Sequence, residues 1–180
     1  MENEMKKRLM LVLALVAALS LVAAAPVSAG GEKPINGKID LNLELEFCGL
    51  PGESPFVTWV GTVVIDGTTY GWADFPTGDP RFEKKFMYFD EYWTIFDLDG
   101  EEPTVALACD PALVVLDGIN TGRGTPGGAA RADGTVGSAA PDGPFADVAV
   151  GSRMIWRGKV TNFNADADEF KATLHIFPLK

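Results

Sequence analysis

The chain has 180 residues, 47% hydrophobic and 22% charged, with a formal net charge of −10. An acidic surface repels phosphate backbones, so nucleic acid is not an expected partner. One His and two Cys without a CxxC spacing make no set of metal ligands, and no motif asks for a cofactor.

In chain order, Lys6, Lys7 and Arg8 precede an apolar run from Leu9 to Ala25, and Pro26-Val27-Ser28-Ala29 offers small residues where a signal peptidase cuts. Residues 1–29 read as a secretory signal peptide and 30–180 as one domain of a secreted or periplasmic protein. An uncleaved anchor is the alternative, but the run is short for a bilayer span. No membrane span is expected after cleavage. Losing the leader removes three basic and two acidic residues and moves the net charge from −10 to −11.

The remainder reads as strand after strand. Ile39, Leu41, Leu43, Leu45 and Phe47 alternate with polar residues, the period of a strand with one wet face. Phe56 to Ile65 and Thr68 to Phe75 flank Asp66-Gly67, a strong hairpin signal because both turn positions accept positive φ. Lys84 to Asp97 is aromatic and β-branched, either one long bent strand or two joined by a bulge at Asp90-Glu91. Val105 to Cys109 and Ala112 to Leu116 read as strands interrupted by Asp110-Pro111. Residues 117–137 hold seven glycines and read as two low-bulk strands around a Pro126-Gly127-Gly128 turn. A single helical turn is expected within 141–150, capped by Asp142. Arg153 to Thr161 and Glu169 to Phe177 form a closing hairpin.

Eight or nine regularly spaced strands with almost no helix predict an all-β fold, a single antiparallel barrel of about eight strands, with a sandwich as the alternative. Pairing the first and last strands would remove the edges that invite aggregation. Cys48 and Cys109 allow one intramolecular bridge, expected in an exported chain; two buried free thiols are the alternative.

Chemistry is sparse. The glycine-rich stretch lacks the Gly-Lys-Ser/Thr ending and the helix of a phosphate loop. Asn164 to Asp168 begins like a calcium loop, but Glu169 replaces its glycine and His175 its bidentate glutamate. Asp97, Asp99, Glu101 and Glu102 crowd a turn that could hold only a weak surface calcium. No metal site is expected. His175 falls on the outer side of the last strand. Asp90 and Glu91 lie among Tyr88, Tyr92 and Trp93 and are candidate catalytic carboxylates if one points inward.

The aromatics carry the binding argument. Trp59, Trp72, Trp93 and Trp156, spread over four strands, either fill the core or line a pocket. Tyr92 is a polar handle for a ligand, and Arg123 and Arg131 are the expected partners of an acidic one. Arg153, Arg157 and Lys159 add a basic stripe.

The alternating strands, the bend "DGINTGRGTPGGAARADGTV" and the hairpin "MIWRGKVTNF…FKATLHIF" resemble the small exported barrels of the allene-oxide-cyclase and dirigent type and, more loosely, lipocalins. The lipocalin Gly-x-Trp is absent from the first strand, "KIDLNLELEF", and no functional residue of these families is carried over. The resemblance implies a barrel with an internal cavity. Three functions are therefore expected in competition: a barrel that binds a small apolar or aromatic ligand, a cofactor-independent cyclase, isomerase or carboxylate hydrolase, or a surface interaction protein that self-associates.

Overall fold

The computed structural model describes residues 33–44, 46, 48, 58–125, 128–160 and 169–179. They form β1 (Ile35–Glu44), β2 (Thr58–Ile65), β3 (Thr68–Pro76), β4 (Arg81–Glu83), β5 (Phe86–Phe96), a one-turn helix α1 (Val105–Ala108), β6 (Val114–Gly124), β7 (Ala129–Ala139), β8 (Arg153–Val160) and β9 (Glu169–Phe177). The leader, Phe56, the Pro126-Gly127 pair and the Asn162 to Asp168 turn lie outside the described residues.

Every pairing is antiparallel. The sheet runs β3-β2-β1-β9-β8-β7-β6-β5, and a β3–β5 ladder closes it into an eight-stranded barrel. β4 stands outside the ring and pairs only with β5. β1 pairs with β9 from Ile35↔Ile176 to Asn42↔Glu169, so the first and last strands meet as their alternation suggests. The β2–β3 hairpin turns on Asp66 and Gly67, with φ of 49° and 84°.

Two local expectations are corrected, and of the two alternatives for Lys84 to Asp97 the single strand is the one formed. Val105 to Cys109 is helix, not strand, because Thr104 caps it: Thr104 Oγ1 accepts the Leu107 N–H at 3.2 Å, and the Cys109 N–H reaches Val105 O at 2.9 Å. Residues 141–150 form a chain of turns instead of a helical turn. Pro141 and Pro144 lack N–H donors, and the segment closes only three-residue bonds: Gly143 to Ala140, Ala146 to Gly143, Val148 to Phe145. β5 is one strand without a bulge at Asp90-Glu91; its ladder to β6 slips later, between Ile95 and Phe96.

The barrel interior has three levels. At one end Phe145 and Val148, from the turns after β7, sit on the core, with Phe145 5.4 Å from the Tyr70 ring. Trp72 and Trp93 fill the middle, fully buried and stacked 5.3 Å apart at 4°. The glycines of β6 make room for these rings. A Cβ on Gly118 would lie 2.6 Å from Trp93 Cζ2, and one on Gly122 would fall inside the Phe89 ring. The third level, at the opposite end, is open.

Outside the ring, Val60, Ala73, Phe75 and Phe96 are buried under Val105 and Ala108 of α1. β2, β3 and β5 are therefore apolar on both faces. The Cys48–Cys109 disulfide ties the stretch after β1 to the end of α1, with Cα atoms 5.4 Å apart. Replacing both cysteines by serine is expected to lower stability by about 4 kcal/mol, the loop-closure cost for a 61-residue separation. Urea unfolding with and without reductant checks this: reductant should shift the midpoint of the wild type and leave the double variant unchanged.

Candidate functional site

The open end holds a cavity of about 150 Å³, comparable to a void that accepts a single benzene ring. Its walls come from strand ends that converge there by antiparallel alternation: Trp59 from β2, Met87 and Phe89 from β5, Ala130 from β7, Trp156 and Val160 from β8, Phe170 from β9. The rings form one aromatic surface. Trp156 stacks on Phe89 at 6.0 Å and meets Phe170 edge-on at 5.0 Å, and Phe170 lies 6.0 Å from Trp59. Pro76, Gly78 and Pro80, from the end of β3 and the stretch before β4, line it as well.

Two carboxylates interrupt this apolar lining. Asp74 and Glu91 both line the cavity and are only 2% and 6% exposed. Asp74 Oδ2 accepts the Trp72 Nε1–H at 2.8 Å; Asp74 Oδ1 and Glu91 Oε2 have no hydrogen-bond partner. Asn120, opposite Glu91 in the β5–β6 ladder, is buried beside both, and its amide forms no hydrogen bond of good geometry.

Burial dominates the electrostatics. It pushes the Asp74 carboxyl up to about 7, against smaller pulls downward from Trp72 and Asn120. Burial also holds Glu91 well above the usual carboxylate range, reinforced by repulsion from Asp74 and, more weakly, from Asp90, with Asn120 opposing. No Lys, Arg or His among the described residues is buried inside the barrel. The site is thus an aromatic well with two uncompensated carboxyls, able to donate protons when neutral and to hold a cation when ionised.

The structure sorts the sequence candidates. Trp59 and Trp156 line the cavity. Trp72 and Trp93 lie beneath it as core, Trp72 acting through its bond to Asp74. Tyr92 faces outward: its hydroxyl donates to Asp117 Oδ2 at 2.9 Å, which also accepts from Ser138. Burial and Asp117 raise that phenol above its ordinary range. Arg123 and Arg131 are on the outer wall, in a cross-strand row Tyr88–Arg123–Arg131–Arg157, away from the cavity. Arg123 lies over the Phe86 ring, and Arg153 is paired with Asp133. His175 bonds Asn36 on the barrel exterior at 2.6 Å.

The candidate pair Asp90/Glu91 separates, because neighbours on a strand point to opposite faces. Asp90 is outside, accepting from Thr121 at 2.8 Å and 3.6 Å from Arg81, while Glu91 is inside. Its real companion is Asp74, which sequence reasoning passed over, as it did Asn120. The available signal was a single charged residue inside the otherwise uncharged, buried run from Gly71 to Phe75. Asp97 Oδ1 caps its own turn by accepting from the Asp99 N–H, and among the described residues no three His, Cys, Asp or Glu side chains converge as a metal site.

No family model, curated protein or solved structure matches the chain. Among the described residues, no helix is long and apolar enough to cross a membrane.

Proposed function

We propose that this is an exported barrel that binds a small, largely aromatic molecule of about one ring in the well between Trp59, Phe89, Trp156 and Phe170. The single observation that carries this reading is the open aromatic cavity at one end of an otherwise filled barrel. The Cys48–Cys109 bridge suits an oxidising compartment and supports export through the 1–29 leader.

Titration with a neutral one-ring probe, benzyl alcohol, followed by the indole N–H resonances, tests the reading. The Trp59 and Trp156 signals are expected to shift in a saturable way, and Ala130→Leu, which fills the cavity, to remove at least nine-tenths of the affinity. Unsaturable shifts, or a folded Ala130→Leu protein that binds as before, would rule it out.

A second reading, acid–base catalysis on the bound molecule, is favoured by one observation: burial raises Asp74 to about 7 and holds Glu91 well above the usual carboxylate range. Turnover that survives in Asp74→Asn and Glu91→Gln would exclude it.

A further inference from the structure

Among the described residues, no cation pairs with the two carboxyls of the well. Buried carboxylates in folded proteins are paired, metal-bound or neutralised. Here every described Lys and Arg is exposed on the outside of the barrel, and His175 is bonded to Asn36 there. Asp74 Oδ1 and Glu91 Oε2 both lack partners and belong to residues that line the same small cavity. The walls above them are faces and edges of Trp59, Phe89, Trp156 and Phe170. Aromatic faces attract a cation, most strongly when it is shielded from water.

From this arrangement we infer that the ligand is a primary amine on a single apolar ring, its ammonium seated on Asp74 and Glu91 and its ring among the four aromatic side chains. The inference rests on the binding reading above and names the ligand's chemical class. An ammonium presents three N–H donors, enough for both vacant carboxylate oxygens, with one left for water or the ligand's own atoms. The 150 Å³ of space suits one ring and little more. Ca²⁺ and Mg²⁺ take six or more oxygen ligands, or water in their place; beside the two carboxyls the described side chains offer only Asn120 Oδ1, and the rest of the wall is largely apolar.

Seating an ammonium requires at least one ionised carboxylate, so binding expels a proton wherever both carboxyls are still protonated, below about pH 7. The groups that bear on this step are Asp74 on β3 and Glu91 on β5, each disfavouring the other's charge. Asp90, on the outer face of β5, adds repulsion to Glu91, and the neutral Trp72 and Asn120 favour ionisation. With Asp74 titrating at about 7, its ionised fraction rises roughly tenfold between pH 6 and pH 8. Affinity for an amine should rise by the same factor over that interval, while affinity for a neutral ring should stay flat.

Calorimetry with benzylamine and with benzyl alcohol at pH 6 and pH 8, in two buffers of different ionisation heat, tests this. Benzylamine is expected to bind at least tenfold more tightly than benzyl alcohol at pH 8, to gain about tenfold from pH 6 to pH 8, and to release close to one proton to the buffer at pH 6 and almost none at pH 8. Asp74→Asn and Glu91→Gln should abolish the preference for the amine and still bind benzyl alcohol, which shows that their wells remain formed. Equal affinity for the two probes in the wild type would overturn the amine inference and leave the binding reading standing. If neither probe binds, both fail. Saturable binding of Ca²⁺ or Mg²⁺ that displaces benzylamine would assign the carboxylates to a metal instead and overturn the inference as well.

Discussion

Gly118→Ala is expected to destabilise the barrel by about 3 kcal/mol, the upper end of what overpacking a filled interior ordinarily costs. The new methyl would run into the Thr135 carbonyl on the neighbouring strand and the edge of Trp93. Neither can yield. Thr135 belongs to β7 and is held by its ladders to β6 and β8, and Trp93 is wedged against Trp72. Gly122 offers an instructive contrast, because the nearest atoms to its added methyl are all on the Phe89 ring. Gly122→Ala should therefore be rescued in large part by Phe89→Leu, whereas Trp93→Leu should not rescue Gly118→Ala, since the carbonyl remains. Urea unfolding of the four proteins decides the matter. A Gly118→Ala variant within about 0.5 kcal/mol of the parent would mean that β6 and β7 are not packed as described.

Stability should fall as pH rises from about 4 through 7. The folded state holds the Asp74 carboxyl at about 7 against an ordinary 3.8, so the folded chain binds more protons than the unfolded chain across that window. Stabilisation by the protonated carboxyl is complete below the unfolded value and is lost as pH climbs through the folded one. The difference amounts to up to about 4 kcal/mol for Asp74, and Glu91, also raised, adds in the same direction. Asp133, lowered by Arg153, has the opposite sign, but its contribution fades only below the ordinary carboxylate range, so the two windows separate. The double variant Asp74→Asn, Glu91→Gln should show a nearly flat profile and exceed the parent at pH 8, with the Asn carbonyl still accepting from Trp72. Denaturant unfolding at pH 5, 6, 7 and 8 measures it. Parent stability that rises with pH over this range would contradict the buried, unpaired state of both groups.

Much of the barrel can be read from alternation alone. Ile39 and Leu41 on β1, and Phe170, Leu174 and Ile176 on β9, face inward as their period demands, and β1 and β9 pair as two clean-faced strands should. The glycine-rich stretch is legible as low-bulk wall because it runs directly out of Val114-Val115-Leu116. Asp74 and the strand neighbours Phe75 and Ala73 were harder to read. The outer face of β3 is covered by α1, so both faces are apolar and the alternation that would mark Asp74 as inward vanishes. The helix itself is hidden because its four-residue length gives helical periodicity no room to appear, although Ala106, Leu107 and Ala108 are good helix formers. Trp72 and Trp59 also look alike in sequence. Only the depth of each strand end distinguishes a ring in the packed middle from one at the open mouth.

The meeting of β1 with β9 sets the order in which the chain can fold. No ring exists until residues near Ile176 find those near Ile35, a contact that spans almost the whole domain. Hairpins such as β2–β3 and β8–β9 can form locally and early, but closure must wait for the last strand to be synthesised. Such non-local topology places folding toward the slow end, milliseconds to seconds. A chain that ends before Glu169 would lack the seam, exposing the free sides of both β1 and β8 as pairing templates.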